Sequence, residues 1–408
     1  MSSRSFDVVI IGAGPAGTAA AIALRASSLS VALIDKATFP RDKICGDALS
    51  VDVVRQLKKL SPSLATSLEN LPHKTISGGV RIVAPDGEAV DIPFITEHHS
   101  EKGYVCRRKD FDMLMISEAR RCSNVSIFES CEVNNVLVDE NQVRVETTLG
   151  PFTAKMIIAA DGAHSVVKRK LTTSKINPSY HSAGLRSYHR RVNGFNKGNF
   201  IELYFLRDIL PGYLWIFPLP GDHANVGIGM LTSAVSSSKV NLGKTFRQLL
   251  QSHPALSKRF EHAEAIEAPL GHGLPLGGKV HTLSGHRYIL TGDAASLIDP
   301  FSGEGIGNAI RSGRFAARQA VECFSKSDFS AKAMSRYDSI MYKMLLNEFK
   351  VSRSMLSLSR YPWILNMIVR KANKNESLRK TLINALAFPE KKGWLVNPMF
   401  YFNLIFRS

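Results

Sequence analysis

The chain has 408 residues, of which 44% are apolar and 21% are charged. This composition suits one large or two ordinary globular domains and excludes a disordered chain. The five cysteines are an odd number without CxxC spacing, which argues against a disulfide framework and against a zinc or iron–sulfur centre. We therefore expect no metal site and a reducing, cytoplasmic setting.

The net charge of +17 is concentrated at the C-terminus, where residues 331–408 contain 14 lysines and arginines and four acidic residues. These basic residues alternate with apolar and aromatic ones, as in YPWILNMIVRK and GWLVNPMFYFNLIFRS, which favours an anionic membrane surface over nucleic acid. A packed helical region with a solvated basic face explains the pattern equally well. No apolar run approaches the roughly 18–20 residues that cross a bilayer, and the N-terminus does not read as a signal peptide. Any membrane contact is therefore expected to be peripheral, at the inner face.

Hydrophobic periodicity predicts a β-α-β unit at the start of the chain: a buried strand at 6–11, an alanine-rich helix at 18–26 and a second strand at 31–34. Alternating runs predict a hairpin between about 76 and 94 and a strand-rich segment between about 179 and 274. Helices dominate from residue 332 onward. The remaining predictions are helices at 50–60, 111–121, 242–251 and 306–324, and strands at 125–128, 133–138, 143–148, 155–160 and about 287–290.

The turn after the first strand reads Gly12-Ala13-Gly14-Pro15-Ala16-Gly17, a GxGxxG motif. Its first glycine permits a tight turn, its second lets the backbone approach a pyrophosphate, and its third lets the helix pack on the strand. The helix N-terminus then favours the negative charge of the pyrophosphate. Asp35 closes the second strand, where it is placed to accept hydrogen bonds from a ribose. These features predict a dinucleotide site, and both NAD and FAD bind to such a motif.

Two later motifs separate these cofactors: AADGAHS at 159–165 and TGDAASLIDPFSGEGIGNAI at 291–310. With them the chain resembles the para-hydroxybenzoate-hydroxylase-like flavoproteins, a group that contains class A monooxygenases, flavin halogenases and geranylgeranyl reductases. The resemblance implies non-covalent FAD, with Asp161 and Gly162 behind the dinucleotide and Asp293 near the ribityl phosphate. The helix after the last motif would point its N-terminus at the flavin, and Arg108 of RKDFD would lie beside the ring. Further FAD contacts implied by the resemblance are Lys36, Arg41, Gly46, Val133, Gly292, Pro300, Gly303, Gly305 and Ile306.

The order of these motifs predicts an α/β protein in which a Rossmann-like FAD-binding domain is interleaved with a β-sheet substrate domain. We expect the FAD-binding domain at 1–75, 105–178 and 275–330. The substrate domain is expected at 76–104 and 179–274, followed by a helical, basic C-terminal region at 331–408.

The loop FPRDKICGD at 39–47 resembles a hallmark of the geranylgeranyl reductases, and similar loops occur in halogenase-like relatives. The resemblance places Cys45 beside the isoalloxazine ring, where its thiol is a candidate catalytic group. A single cysteine can equally be a small buried hydrophobic residue, which is our expectation for the other four.

Residues 213–229 fit the pattern YxWxFP-x8-GxG, which geranylgeranyl reductases of archaeal lipid synthesis carry on the substrate-facing sheet. Alternation along a strand places Tyr213, Trp215 and Phe217 on one face, where they can line a slot for a long unsaturated hydrocarbon. Spacing alone would equally suit aromatic residues that fill a sheet core. We expect Pro218 to end the strand, and Gly227 and Gly229 to let a neighbouring strand come close.

The resemblance implies an FAD-dependent reductase that acts on C=C bonds of a geranylgeranyl or other isoprenoid substrate, by hydride transfer from N5 of reduced FAD. The proton source stays open among Cys45, Tyr213 and water. No second GxGxxG motif exists, so the electron donor is expected to be transiently bound NAD(P)H or a ferredoxin. The oligomeric state is left open.

Two alternatives remain. One is a monooxygenase or halogenase that acts through a flavin peroxide on an aromatic or lipid-like substrate, with Lys74 as a weak candidate for the lysine that halogenases require. The other is a flavoprotein that binds a lipid or a partner without turnover.

Overall fold

The computed structural model describes residues 3–94 and 101–379. Its strands are Arg4–Ile11 (β1), Val31–Ile34 (β2), Ala48–Leu49 (β3), Lys74–Ser77 (β4), Gly79–Val83 (β5), Ala89–Pro93 (β6), Gly103–Cys106 (β7), Val125–Phe128 (β8), Val133–Val138 (β9), Val143–Thr147 (β10), Gly150–Ala159 (β11), His181–Arg190 (β12), Ile201–Tyr204 (β13), Gly212–Pro218 (β14), Ala224–Leu231 (β15), Glu264–Ala265 (β16), Leu270–Pro275 (β17), Ser284–Gly285 (β18) and Tyr288–Leu290 (β19). Its α-helices are Pro15–Ala23 (α1), Val51–Leu60 (α2), Pro62–Glu69 (α3), Arg108–Ala119 (α4), Val166–Leu171 (α5), Thr232–Ser238 (α6), Leu242–Ser252 (α7), Ser257–Phe260 (α8), Ile306–Lys326 (α9), Ala331–Leu358 (α10) and Pro362–Lys374 (α11).

The first sheet is mainly parallel and has the order β18-β19-β11-β1-β2-β8, with β9 and β10 added as an antiparallel extension of β11. All four residues of β2 and the last four of β1 are buried, as expected for parallel strands that are covered on both faces. Helix α1 packs closely on α9 at Gly313, where a Cβ atom would lie 2.1 Å from the carbonyl oxygen of Ala16. This contact fixes the glycine-rich turn beside the start of α9.

The second sheet has the order β16-β12-β15-β14-β13-β5-β6, with β17 also paired to β12. Its pairs are antiparallel except for β13 with β5. One face packs in a core of its own, in which Leu214 and Ile216 of β14 meet Phe246 of α7. The other face therefore remains available to form the wall of a cavity. A third, small sheet pairs β7 with β3 and β4.

The predicted α/β fold, with strands of two sheets interleaved along the chain, is confirmed. Helix α1 begins at Pro15 and α4 at Arg108, in both cases three residues before the predicted start. The first turns of these helices are Pro-Ala-Gly and Arg-Lys-Asp, which carry no apolar periodicity, so the sequence pattern begins too late. The exact domain boundaries stay a prediction.

The predicted helical C-terminal region is present through α10 and α11, which cover most of 331–379. The aromatic segment GWLVNPMFYFNLIFRS, at 393–408, lies outside the described residues. Among the residues that are described, no helix is both long enough and apolar enough to cross a bilayer.

Candidate active site

A cavity of about 740 Å³ lies between the first sheet and the free face of the second, which is within the usual size of small-molecule sites. It is lined by residues of every motif singled out in the sequence. Gly17, Pro218 and Gly227 do not line it. Gly17 and Gly227 lie where close packing leaves no room for a Cβ atom, and Pro218 is the last residue of β14. The predicted residues that do line it are Gly12, Gly14, Pro15, Ala16, Asp35, Lys36, Arg41, Cys45, Gly46, Arg108, Val133, Asp161, Gly162, Tyr213, Trp215, Phe217, Gly229, Gly292, Asp293, Pro300, Gly303, Gly305 and Ile306.

The glycine-rich turn forms one end of the cavity. Gly12 has φ +97°, and a Cβ atom there would lie 2.4 Å from the carbonyl oxygen of Ala160. A Cβ atom at Gly14 would meet nothing closer than the Arg41 guanidinium at 3.7 Å, so its backbone is open to the cavity. Helix α1 has neither a capping side chain nor an acidic residue in its first turn. Its free N–H groups therefore fit the pyrophosphate of a dinucleotide.

Asp35 ties the glycine-rich turn to the end of β2. Its carboxylate accepts hydrogen bonds from the N–H groups of Ala13, at 2.7 Å, and Ala37, at 2.9 Å. The side chain is buried and lines the cavity. These bonds leave further lone pairs on the carboxylate, and its contact with a ribose stays a prediction.

Two arginines are held by one carboxylate beside Cys45. Asp112 accepts two bonds of 2.7 Å from Arg108 and one of 2.8 Å from Arg41. Burial disfavours the charged guanidinium of Arg108, but Asp112 and the neighbouring Cys45 outweigh it and raise the pKa of Arg108 above its usual range. Sequence reasoning missed Asp112, although its i,i+4 spacing from Arg108 is a signal for this ion pair.

The two later motifs meet in the same part of the cavity. One carboxylate oxygen of Asp161 accepts the N–H groups of Val166 and Val167, at 2.7 and 3.3 Å. Its other oxygen is buried without a partner, and burial raises the pKa of this carboxyl. Asp293 lies 3.4 Å from Lys43. An unpartnered acceptor beside an open glycine turn fits a cofactor rich in hydroxyl groups, as FAD is.

The start of α9 lies against the second sheet. Gly303 has φ +71°, and a Cβ atom there would lie 3.0 Å from the Tyr213 hydroxyl. This hydroxyl donates to the carbonyl oxygen of Ser302, and burial raises the pKa of Tyr213 well above its ordinary value. Helix α9 has no capping side chain and no acidic residue in its first turn. Its N–H groups are thus available to an anionic edge of a flavin ring.

Five rings form what we call the aromatic wall: Phe205, Tyr213, Trp215, Phe217 and Phe301. Ring centroids are 6.3 Å apart for Tyr213 and Trp215 and 6.2 Å apart for Trp215 and Phe217. Phe205 continues the row at 5.7 Å from Tyr213 and 5.8 Å from Phe301. The alternation along β14 thus places its aromatic residues on the cavity face, with the aliphatic residues packed on the opposite side. Phe205 was missed because it comes from another strand, and Phe301 because the 291–310 motif was interpreted only as part of the FAD site.

The glycines near this wall make room for its rings. A Cβ atom at Gly227 would lie 2.0 Å from the Trp215 indole and 2.4 Å from the carbonyl oxygen of Leu185 on β12. Gly227 therefore admits both the neighbouring strand and the indole. A Cβ atom at Gly46 would lie 2.8 Å from the Phe217 ring, so the residue after Cys45 fits closely against the wall.

A buried polar network joins the loop at 39–47, here called the Cys45 loop, to the second sheet. Asp47, with φ +67°, accepts hydrogen bonds from the Tyr188 hydroxyl at 2.7 Å and the Asn225 amide at 2.8 Å. Burial raises the pKa of Asp47 to about 6. No sequence motif indicated Asn225, and nothing in the sequence around Gly46 indicated that Asp47 has a positive φ. The charged and titratable groups that face Asp47 are Asp42, Cys106, Arg186 and Tyr188, and the backbone N–H of Arg108 also donates to its carboxylate.

Cys45 is a free thiol and is partly exposed, while the other four cysteines are free and buried. Burial raises the pKa of Cys106 to about 12. Lys74, the candidate halogenase lysine, donates to the carbonyl oxygens of Glu69 and Leu71 and does not line the cavity. In the described part of the chain, no group of three or more His, Cys, Asp or Glu side chains is arranged to hold a metal ion.

Comparison with known proteins agrees with this site. An FAD binding domain model matches residues 5–216, and a geranylgeranyl reductase catalytic domain model matches residues 186–272. A digeranylgeranylglycerophospholipid reductase of Methanoculleus marisnigri is 28% identical over 87% of this chain and 87% of its own. A menaquinone reductase of Mycobacterium tuberculosis is 31% identical over 77% of this chain and 76% of its own.

Solved structures share the fold. A geranylgeranyl bacteriochlorophyll reductase-like protein from Thermoplasma acidophilum has a TM-score of 0.82 at 22% identity, over 97% of this chain and 99% of that one. The flavin-dependent brominase Bmp2 has a TM-score of 0.78 at 21% identity, over 98% of this chain and 99% of that one. The fold alone therefore does not separate reductases from halogenases, whereas the sequence matches do. The chain belongs to the geranylgeranyl reductase family of FAD-dependent oxidoreductases.

Proposed function

We propose that this protein reduces C=C bonds in the isoprenoid chain of a lipid or a quinone. The observation that carries the proposal is the aromatic wall, which lies against Cys45 and the start of α9 in the FAD-binding cavity. One relative is named for a digeranylgeranyl phospholipid and the other for menaquinone. An isoprenoid chain is the part that these two molecules have in common.

The distribution of charge supports an uncharged chain as the group bound at the second sheet. The charged groups of the cavity come mostly from the end of β2, the Cys45 loop and the later motifs. The part bounded by β13 and β14 is lined by Leu203, the aromatic wall and Leu276. Burying a long hydrocarbon there is favourable at about 25 cal/mol per Å² of apolar surface, whereas a diphosphate would lose its hydration without a partner. The headgroup therefore stays outside this part of the cavity.

Residues of this chain have separate roles in the proposed reduction. Reduced FAD, when bound, supplies the hydride. The aromatic wall orients the double bond and excludes water, and the start of α9 offers N–H donors to the negative edge of the ring. Tyr213 is protonated at neutral pH, as an ordinary tyrosine is, and burial raises its pKa further. Its phenol is a candidate proton source alongside the Cys45 thiol. The second carbon of the double bond takes this proton.

The surroundings of Lys74 weigh against the halogenase alternative. A catalytic lysine has to reach the substrate, but the ammonium group of Lys74 is bonded to two backbone carbonyls, at 2.6 and 2.8 Å, outside the cavity lining. A flavoprotein without turnover is disfavoured because a formed slot beside a flavin site is the usual arrangement of an active enzyme.

Helix α11 supports a membrane route for the substrate. Tyr361 and Trp363, at the start of this helix, are 54% and 58% exposed, and basic residues follow in its last turn. Leu356 and Ser359, just before it, line the cavity. A helix that carries both exposed aromatic residues and basic ones favours the interface of an anionic bilayer. A lipid could therefore enter the cavity from the membrane at this edge.

The test is anaerobic. The FAD-loaded protein is photoreduced and mixed with digeranylgeranyl phospholipid, menaquinone or geranylgeranyl diphosphate, and flavin absorbance and product mass are followed. Substrate-dependent reoxidation, with a gain of two hydrogens per double bond, is the expected outcome. Flavin that stays reduced until O₂ is admitted contradicts the proposal and favours the monooxygenase or halogenase alternative. Anaerobic titration with NADPH, compared with a reduced ferredoxin, identifies the electron donor.

A further inference from the structure

A single buried amide connects the aromatic wall to the Cys45 loop. Asn225 is fully buried on β15. Its side-chain oxygen accepts the indole N–H of Trp215 at 2.9 Å. Its side-chain nitrogen donates to the carbonyl oxygen of Cys45 at 2.7 Å and to the carboxylate of Asp47 at 2.8 Å. Because the indole can only donate and the carbonyl can only accept, only one orientation of the amide satisfies all three contacts.

Asp47 extends this connection on its other side. The carboxylate oxygen that accepts from Asn225 also accepts from the Tyr188 hydroxyl of β12, and the second oxygen accepts the N–H of Arg108 at 3.2 Å. The N–H of Cys106 on β7 donates to the backbone oxygen of Asp47 at 2.9 Å. The end of the Cys45 loop is thus bonded to the second sheet, to the small sheet and to the start of α4.

We propose that Asn225 is a positioning residue, whose amide holds the Cys45 loop and Trp215 in one fixed relation so that thiol, indole and flavin site keep a reactive geometry. The inference deepens the proposed function and rests on it. Asn225 occupies one of the unspecified positions of the YxWxFP-x8-GxG pattern and does not itself line the cavity, but it bonds to three residues that do. Buried side chains that fix reacting groups within a fraction of an ångström are what such sites require.

Asn225→Asp is the primary variant, because it keeps the shape and removes the donor nitrogen. It breaks the bond to the Cys45 carbonyl and sets a carboxylate against Asp47. We expect the limiting rate of substrate-dependent flavin reoxidation to fall roughly a hundredfold, as for a misplacement near 1 Å, with FAD still bound. We also expect iodoacetamide to alkylate Cys45 about tenfold faster, because the Cys45 loop opens more often once it has lost this hydrogen bond. A tenfold change corresponds to a bond that contributes about 1.4 kcal/mol to the closed loop.

The double variant Asn225→Asp with Asp47→Asn separates positioning from charge repulsion and from misfolding. It restores an amide–carboxylate pair between the two positions and the original net charge, but no nitrogen remains at position 225 to bind the Cys45 carbonyl. We expect the melting temperature to recover, while the reoxidation rate stays low and the Cys45 alkylation stays fast. Recovery of all three would overturn the proposal, because the bond to Cys45 would then be dispensable.

Asn241→Asp is the matched control, since Asn241 caps α7 through its side-chain oxygen and aspartate caps a helix equally well. It should leave the rate and the alkylation unchanged. Alkylation of Cys45 is read by peptide mass and does not depend on the isoprenoid substrate. If wild-type protein fails to reduce any isoprenoid, the proposed function fails, yet the alkylation rates still decide the role of Asn225. If both Asn225 variants bind FAD and their Cys45 is alkylated at the wild-type rate, the positioning role of Asn225 is overturned.

Discussion

The two ends of the cavity are built in different ways. The nucleotide end consists of backbone: a tightly packed Gly12, an open Gly14, an uncapped helix and a turn that one carboxylate, Asp35, holds in place. The substrate end consists of side chains, five aromatic rings and a buried network around Asp47 and Asn225. A backbone site tolerates almost no change at its glycines, whereas a side-chain site can change its substrate by replacing rings. We therefore expect proteins that share this fold, such as the reductase-like protein and the brominase, to differ mainly at the substrate end.

The largest effect is expected at the nucleotide end, from Gly12→Val. The new Cβ atom would meet the Ala160 carbonyl at 2.4 Å, in a residue whose φ of +97° disfavours any side chain. Both the turn and the parallel strand β11 would have to move. We expect purified protein to lose bound FAD, as read by absorbance after desalting.

Gly87→Val is the matched control, because Gly87 also has a positive φ, of +90°, with no atom within 4 Å of its Cβ position. It should lower stability modestly and keep FAD. If Gly12→Val protein still holds stoichiometric FAD, the backbone account of this end is wrong.

At the substrate end, Gly227→Ala should disturb the wall without removing the cofactor. Its methyl group would overlap the Trp215 indole at 2.0 Å and the Leu185 carbonyl at 2.4 Å. Overpacking of this kind costs about 1–3 kcal/mol and moves side chains. We expect retained FAD, a lower melting temperature and reoxidation slowed at least tenfold. Gly229→Ala, whose Cβ would be 3.7 Å from the same indole, should change these quantities little. Equal behaviour of the two variants would show that the position of Trp215 is not critical.

These two ends also differ in how far the sequence predicts them. The glycine turn, Asp35 and the later motifs act through local backbone geometry, so a short stretch of sequence contains the whole signal. The alternation of Tyr213, Trp215 and Phe217 predicts their common face for the same reason. Phe205 and Asn225 are brought to the site from separate segments by tertiary packing, and nothing in their local sequence distinguishes them. Asp112 and Phe301 lie within motifs that the sequence shows, but their contacts with Arg41 and Phe205 cross segments, and only the folded chain reveals them.

Asp47 offers a test that depends on pH. Its pKa is raised to about 6 from 3.8, chiefly by burial, so the folded state holds this proton more tightly than the unfolded state does. The associated stability is fully present below pH 4 and is lost as pH rises through 6, a change of about 3 kcal/mol. Compared with Asp47→Asn, the wild-type protein should therefore lose about this much unfolding free energy between pH 4 and pH 7. Urea denaturation at several pH values measures the difference.

Asp208 is exposed, so Asp208→Asn serves as the control. Its free energy of unfolding should change with pH in the same way as that of the wild-type protein. A pH-independent difference between wild type and Asp47→Asn would mean that the polar network solvates the carboxylate as well as water does. The substrate end would then be less desolvated than its burial indicates, and the contrast with the nucleotide end would weaken.

The variant Cys45→Ser tests whether the Cys45 thiol, which lies between the nucleotide end and the substrate end of the cavity, supplies the proton. The hydroxyl keeps the size of the side chain but is a far weaker acid than a thiol. We expect bound FAD and melting temperature to remain, and the reoxidation rate by an isoprenoid to fall about tenfold if the thiol supplies the proton. Tyr213→Phe is the complementary variant, since it removes the other candidate proton donor and its bond to Ser302. The larger loss, measured together with the solvent isotope effect, identifies the donor.

The smallest effect is expected farthest from the chemistry, at the start of α11. Trp363 is 58% exposed, so Trp363→Ser should leave folding and the anaerobic reaction with detergent-solubilised lipid unchanged. Binding to anionic vesicles should weaken by about 1–2 kcal/mol, the value of burying one large apolar side chain at the interface. Trp215→Phe, inside the cavity, should show the opposite pattern, with slower reaction and unchanged vesicle binding. If Trp363→Ser protein binds vesicles as wild type does, the lipid does not enter along α11, and the apolar substrate end must receive its chain by another edge of the cavity.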